Sequence, residues 1–138
     1  MSARSFFDTN ILVYTDDVDS PVKQERALAL LADHRRRRTG VLSTQVLQEY
    51  FVATTTKLRV DPAIARRKLE LFGRLELVAI GSDDILGAID LHRLHRLSFW
   101  EALVVRAALA SGCTRLYSED LQPGWRLDGV TVVNPFTD

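Results

Sequence analysis

The segment Ser5-Phe6-Phe7-Asp8-Thr9-Asn10-Ile11-Leu12-Val13-Tyr14 sets a carboxylate inside an otherwise apolar run. Bulky apolar residues with the look of a short strand meet Asp8, two small polar residues follow, and apolar residues resume. Burying a charge in such surroundings is costly unless a cation or hydrogen bonds compensate it. Asp8 therefore has two readings. It ends a strand and caps the next helix, a common job for Asp, or it belongs to a charged site. Carboxylates at equivalent junctions further along the chain bring the second reading forward.

A chain of 138 residues fits one domain, here 1–138. With 46% hydrophobic and 26% charged residues it has enough apolar side chains for a core. The formal net charge is zero, so affinity for a polyanion has to come from local patches. Lysine occurs only at Lys23, Lys57 and Lys68, and the remaining cations are arginines. The single cysteine, Cys113, excludes an internal disulfide and suits a reducing compartment. Asp8 interrupts the only apolar segment near the start, so no signal peptide is expected. No apolar run reaches the roughly 20 residues that span a bilayer. The expectation is a soluble, cytoplasmic protein without a membrane segment.

Outward from Asp8, Asn10 to Tyr14 reads as a short helical turn. Ser20-Pro21 then starts a helix with a capping hydroxyl and a first-turn proline. Val22, Leu28 and Leu31 form its expected inner face, and it runs into Arg35, Arg36, Arg37 and Arg38. Four arginines exceed what a helix C-terminus needs; they read either as a solvated end or as an RNA-binding patch. Gly40 to Ser43 is a short strand ending at a potential N-cap. The helix from Thr44 to about Lys57 places Glu49 at the margin of its apolar face, between Val46 and Ala53. Asp61-Pro62 opens a further helix, with Ile64 and Leu71 facing in and Gly73 ending it.

Leu75 to Ile80 is a candidate strand, followed by a helix from Gly81-Ser82 with Ile85 and Ile89 inward. His92 and His95 near its end have no third partner and read as surface residues rather than ligands. Ser98-Phe99-Trp100-Glu101 opens the most apolar helix, which belongs in the interior. Arg115 to Ser118 and Val130 to Val133 complete the strands. Short apolar strands alternating with helices imply an α/β fold, a parallel sheet with helices on both faces.

In such a sheet, ligands bind beyond the carboxyl ends of the strands, near the topological switch point. Asp8, Glu49, Glu101 and Asp120 all fall at junctions that can share that end. Clustered carboxylates repel and need a cation or shared protons. An oxygen-only set suits Mg²⁺ or Mn²⁺ with waters completing the shell. Such a site clamps phosphate oxygens and lowers the pKa of water, which fits phosphodiester hydrolysis. Asn10 and Ser118 are placed to orient water or hydrogen-bond a carboxylate.

The runs Phe7 to Tyr14, Ser43 to Glu49, Ser98 to Ala102, Leu116 to Leu121 and Val133 to Phe136 together resemble PIN-domain proteins. Within that group the chain is most similar to the VapC-type toxins of bacterial toxin–antitoxin pairs. The resemblance covers nearly the whole chain, and its specificity lies in the order and spacing of motifs that are weak singly. It implies a PIN-like three-layer α/β/α domain with a central parallel sheet of four to five strands. It also implies a Mg²⁺- or Mn²⁺-dependent endoribonuclease, a homodimer, and a small VapB-like antitoxin that threads into the active-site groove. Asp8, Glu49 and Asp120 match acidic metal-site positions of the family, and Asn10 and Ser118 its polar companions. Glu101 stands where the family usually has aspartate. Ser98-x-x-Glu101 also fits a capping box, which turns the carboxylate back to the Ser98 N–H, so Glu101 is read as metal ligand, cap, or both.

Two other readings stay beside the nuclease. One is a non-catalytic PIN-fold regulator that binds RNA or antitoxin, with Glu101 having spoiled the metal site. The other is an aspartyl-phosphate enzyme; those place a second acid two residues after the first, where this chain has Asn10.

Overall fold

A computed structural model describes residues 3–137. Residues 1, 2 and 138, which the single-domain expectation includes, lie outside the described residues. The elements in order are β1 (Ser5–Phe7), α1 (Thr9–Tyr14), α2 (Pro21–Arg37), β2 (Gly40–Ser43), α3 (Thr44–Thr56) and α4 (Pro62–Phe72). They continue with β3 (Glu76–Val78), α5 (Ser82–His95), α6 (Phe99–Ala110), β4 (Arg115–Tyr117), β5 (Arg126–Leu127) and β6 (Val130–Val133).

The strands form one sheet in the order β3-β2-β1-β4-β6-β5, parallel except for β5. The chain steps from β1 outward to β2 and β3, then returns to β4 on the far side of β1. Right-handed crossovers therefore put α1 to α4 on one face and α5 with α6 on the other. The reversal falls between β1 and β4, where Phe7 pairs with Tyr117. That is the switch point at which a ligand is expected.

Six strands replace the four to five expected. The addition is β5, which pairs antiparallel with β6 across the two-residue turn Asp128-Gly129. Both turn residues have positive φ (46° and 88°), as a type I′ hairpin requires, and Asp-Gly is its usual sequence. The signal was present in the chain.

The core is built from different residues than size alone suggests. On α2 the buried positions are Ala27, Leu31 and His34, while Val22 and Leu28 are exposed. On α4 the buried residue is Ala65 and Ile64 is outside; on α5 it is Ala88, with Ile85 and Ile89 exposed. Small residues let these helices approach their neighbours closely, which turns the larger side chains outward. The capping expectations divide. Asp61 and Ser43 accept from Ala63 N (2.8 Å) and Val46 N (3.3 Å), whereas Ser20 makes no side-chain cap bond and α2 starts on Pro21 alone. Gly73 ends α4 in a right-handed conformation, and the left-handed caps belong to Arg38 and Arg96. Among the described residues no helix is long and apolar enough to cross a membrane.

One partly buried polar network ties α3, which carries Glu49, to α4 and to the end of α1. The Tyr50 hydroxyl on α3 donates to Asp16 Oδ2 (2.5 Å), just beyond α1. Lys68 on α4 donates to Asp16 Oδ1 (2.9 Å) and Thr15 Oγ1 (2.6 Å). Burial and the Asp16 carboxylate hold Tyr50 above the usual phenol range, so it remains a donor. Tyr50→Phe should cost about 1–2 kcal/mol, read as a lower urea midpoint at unchanged m. An unmoved midpoint would show that the network adds nothing to stability.

Candidate active site

Asp8 leaves β1 in an extended conformation and becomes the N-cap of α1. Its backbone N–H donates to Tyr117 carbonyl (2.9 Å), continuing the ladder to β4. Its side chain is buried, and both oxygens accept hydrogen bonds. Oδ1 accepts from Thr9 N–H (2.8 Å); Oδ2 accepts from Ser118 Oγ (2.8 Å) and Asn10 Nδ2 (3.3 Å). Ser118 has no exposed surface, and its Oγ accepts from the Asp120 and Leu121 N–H groups. Its single proton is thereby committed to Asp8.

Despite these donors, burial pushes the Asp8 carboxyl up to about 6. The neighbouring carboxylates of Asp120 and Glu49 act in the same direction. The side chain is held, then, but its charge is not neutralised.

Asn10 joins the two acids at the switch point. Its Nδ2 also donates to Asp120 Oδ2 (3.1 Å), and its Oδ1 accepts from Glu119 N–H (3.1 Å). Asp120 itself is exposed. Adjacent Glu119 points elsewhere. It pairs with Lys23 (2.7 Å) and accepts from Tyr14 (2.8 Å), beside Phe136.

Glu49 lies on α3, where Oε1 accepts from Thr9 Oγ1 (2.7 Å) and Oε2 from Gln45 Nε2 (3.4 Å). Gln45 is a residue that the sequence reading missed. It is buried, and its Nε2 also donates to the Trp100 carbonyl (3.1 Å), linking α3 to the start of α6. Two acceptors fix the orientation of the amide, and Oε1 is left buried without a partner. The available signal was the spacing Gln45-x-x-x-Glu49, which stacks the two on one helical face.

Glu101 does cap α6: Oε1 accepts from Ser98 N–H (2.9 Å) while Ser98 Oγ accepts from Glu101 N–H (3.1 Å). The same side chain lines a cavity of about 270 Å³ together with Asp8, Glu49 and Asp120, and with Gln45 and Trp100. All four candidate acids thus line one cavity.

Among the described residues no three acidic, histidine or cysteine side chains converge as a ready-made metal cage. The donor set nevertheless fits a hydrated Mg²⁺ or Mn²⁺. Mg²⁺ commonly takes one or two carboxylates and keeps several waters. The unpartnered Gln45 Oε1 is an acceptor suited to a proton of such a water.

The remaining candidates sit elsewhere. Arg35 to Arg38 close α2 at the amino edge of the sheet, opposite the acids; Arg36 and Arg37 pair with Asp33 (2.7 and 2.8 Å). His92 and His95 are exposed, one bonded to the Leu97 carbonyl and the other stacked edge-on against Trp125. His34 is buried against Phe7 and Tyr117 and bonds Thr39 (2.7 Å), which makes it a core residue.

Carboxylates gathered at the switch point of a mostly parallel sheet define an acidic-site α/β domain. A PIN domain family model matches residues 5–122, and the chain belongs to that family. No curated protein matches the sequence. Among solved structures, the chain is similar to Mycobacterium tuberculosis VapC20, a Sarcin-Ricin loop cleaving toxin (17% identity, TM-score 0.70, 84% of this chain and 91% of that one). It is also similar to a chain of a toxin–antitoxin complex from Klebsiella pneumoniae (18%, 0.67, 95% and 97%). A third is a chain of Rickettsia felis VapBC2 bound to a DNA fragment from their promoter (18%, 0.67, 93% and 96%). At such identities the likeness is one of fold.

The raised Asp8 pKa carries a stability consequence. The folded chain binds this proton more tightly (about 6) than an unfolded one (3.8), so the fold loses stability as pH rises through that window. The loss is roughly 3 kcal/mol at most. In EDTA at pH 8, Asp8→Asn should therefore melt a few degrees above the parent, and the gap should close near pH 4. A variant melting lower at pH 8 would mean that the hydrogen bonds to the carboxylate outweigh its desolvation.

Proposed function

We propose that this chain is a Mg²⁺- or Mn²⁺-dependent endoribonuclease of the VapC toxin type, acting in the cytoplasm on RNA phosphodiester bonds. The observation that carries this reading is the buried Asp8 carboxylate, its pKa raised by burial, sharing a cavity with Glu49, Glu101 and Asp120. The cation would be held by Asp8 and Asp120, with Glu49 and the second oxygen of Glu101 facing it directly or through water. When bound, it would neutralise the phosphate oxygens and make an attacking water more acidic. The protein's own part is positioning. Ser118 and the Thr9 N–H fix the orientation of Asp8, Asn10 sets its relation to Asp120, and Thr9 with Gln45 aims Glu49.

The fold likeness to chains of toxin–antitoxin complexes supports a VapB-like antitoxin as partner, and the family resemblance supports a homodimer. An arginine or lysine of the antitoxin entering the acidic cavity would supply the missing positive charge.

With purified protein and structured RNA, cleavage should require Mg²⁺ or Mn²⁺, stop in EDTA, and fall at least a hundredfold in Asp8→Asn. At limiting metal it should also weaken as the pH falls, because protons compete with the cation for Asp8. Cleavage indifferent to EDTA or to Asp8→Asn rejects the reading.

A second reading rests on the Glu101 cap, which occupies one carboxylate oxygen in a place usually given to aspartate. On this reading the chain is a catalytically impaired regulator that binds RNA or antitoxin. Calorimetry with Mn²⁺ separates the two. A binding isotherm that is lost in Asp120→Asn favours the nuclease, and a flat titration of the parent favours the regulator.

A further inference from the structure

Beside the acidic cavity lies a second, larger one of about 480 Å³, running along α3. The two share Thr9, Gln45, Glu49 and Trp100, so an occupant of the second has one end at the carboxylates. Trp100 stands at the junction, 61% exposed, immediately before Glu101. At the mouth of a polar site this indole keeps most of its surface open to a ligand. Its carbonyl is fixed by Gln45 and its ring rests edge-on against Phe99, which presents the remaining face outward.

From Glu49 the groove follows α3 past Gln48, Val52 and Thr56 to Lys57. Positions 48, 52 and 56 recur every four residues and so form one stripe of the helix. Lys57 stands about 12 Å along the helix axis from Glu49, the length of a few stacked nucleotides at about 3.4 Å each. Gln48 is exposed and offers both donors and acceptors, as base edges and 2′-hydroxyls require. Among the described residues Lys57 is the only cation lining the groove, and the arginine run ends α2 at the opposite edge of the sheet.

We propose that this groove is the track for single-stranded RNA, with a base stacked on Trp100 and a backbone phosphate at Lys57. The proposal rests on the nuclease reading, because it is the carboxylates at the end of the groove that single out a phosphodiester strand as its occupant. It assigns recognition mainly to stacking rather than to charge. Stacking on aromatic side chains is tolerant of sequence, and with one lysine in the track the dependence of affinity on salt is shallow.

The test uses a short unstructured RNA oligonucleotide in EDTA. The chain has two tryptophans, so Trp125→Phe leaves Trp100 as the sole indole reporter. Its fluorescence should be quenched saturably by the RNA. In the otherwise native chain, Trp100→Ala should weaken binding roughly tenfold to a hundredfold, while Trp100→Phe, which keeps a ring, stays within about threefold of the parent. Lys57→Ala should reduce the salt slope by about 0.7. Unchanged affinity in a folded Trp100→Ala protein overturns the proposal. So does a Trp100→Ala variant that changes oligomeric state but not RNA affinity, because the face then serves contact between copies. Trp100-dependent binding without any cleavage in Mg²⁺ would uphold the groove and remove the nuclease reading. Asp8-dependent cleavage with Trp100-independent binding would do the reverse.

Discussion

A carboxylate at the end of a fully buried strand constrains everything around it. Phe6 and Phe7 have no exposed surface, so Asp8 cannot move toward water without withdrawing β1 from the centre of the sheet. Its oxygens are satisfied by the first turn of α1 and by Ser118 after β4. Those bonds join the two strands flanking the switch point. The Asn10 side chain extends the arrangement to Asp120 and to the Glu119 backbone. Hydrogen bonds fix the position of the Asp8 charge, yet burial still opposes it and two other carboxylates add to the opposition. A site built this way gains most from a ligand that brings positive charge.

The sheet separates charge along its strands although the net charge is zero. The acids gather where the parallel strands end. The long helix α2 carries its four arginines back to where β2 begins, at the opposite edge. There two of them pair with Asp33, and all four suit the negative end of a helix dipole. A polyanion approaching the acidic edge therefore meets repulsion from the protein itself. Recognition at that edge has to come from a bound cation, from stacking, from polar contacts, or from the single lysine Lys57, which distinguishes this domain from binders that rely on a basic surface.

The acidic junctions were legible in the chain because a carboxylate within an apolar run is costly, and the cost has to be explained. Asp8, Asn10, Ser118 and Asp120 follow from that argument and from the strand ends. Gln45 did not emerge, since a glutamine in the first turn of a helix carries no such cost until its burial is known. The apolar faces were misjudged for a related reason. Val22, Leu28 and Ile64 have the larger transfer energies, but close approach of helices is set by Ala27 and Ala65, and periodicity counts do not weigh smallness. The place of His34 in the fold is set by the aromatic rings of Phe7 and Tyr117. The β5 strand was missed at only two residues, although the Asp128-Gly129 turn announced it.

Glu101 shows how one residue meets two demands. A capping box favours glutamate at this position because the longer chain can fold back to the N-cap N–H. That bond engages Oε1 and holds the first turn of α6, the same turn whose Trp100 carbonyl accepts from Gln45. Gln45 in turn bonds Glu49. The cap therefore acts on the site twice: it brings the Glu101 carboxylate to the cavity wall, and it fixes the backbone against which Glu49 is aimed. Aspartate, one methylene shorter, would leave the carboxylate less able to reach back and would free both oxygens for the cavity. Glutamate gives up some of that freedom and gains a more rigid α6 entrance, so the acids on α3 and α6 are held in a fixed relation across the cavity mouth.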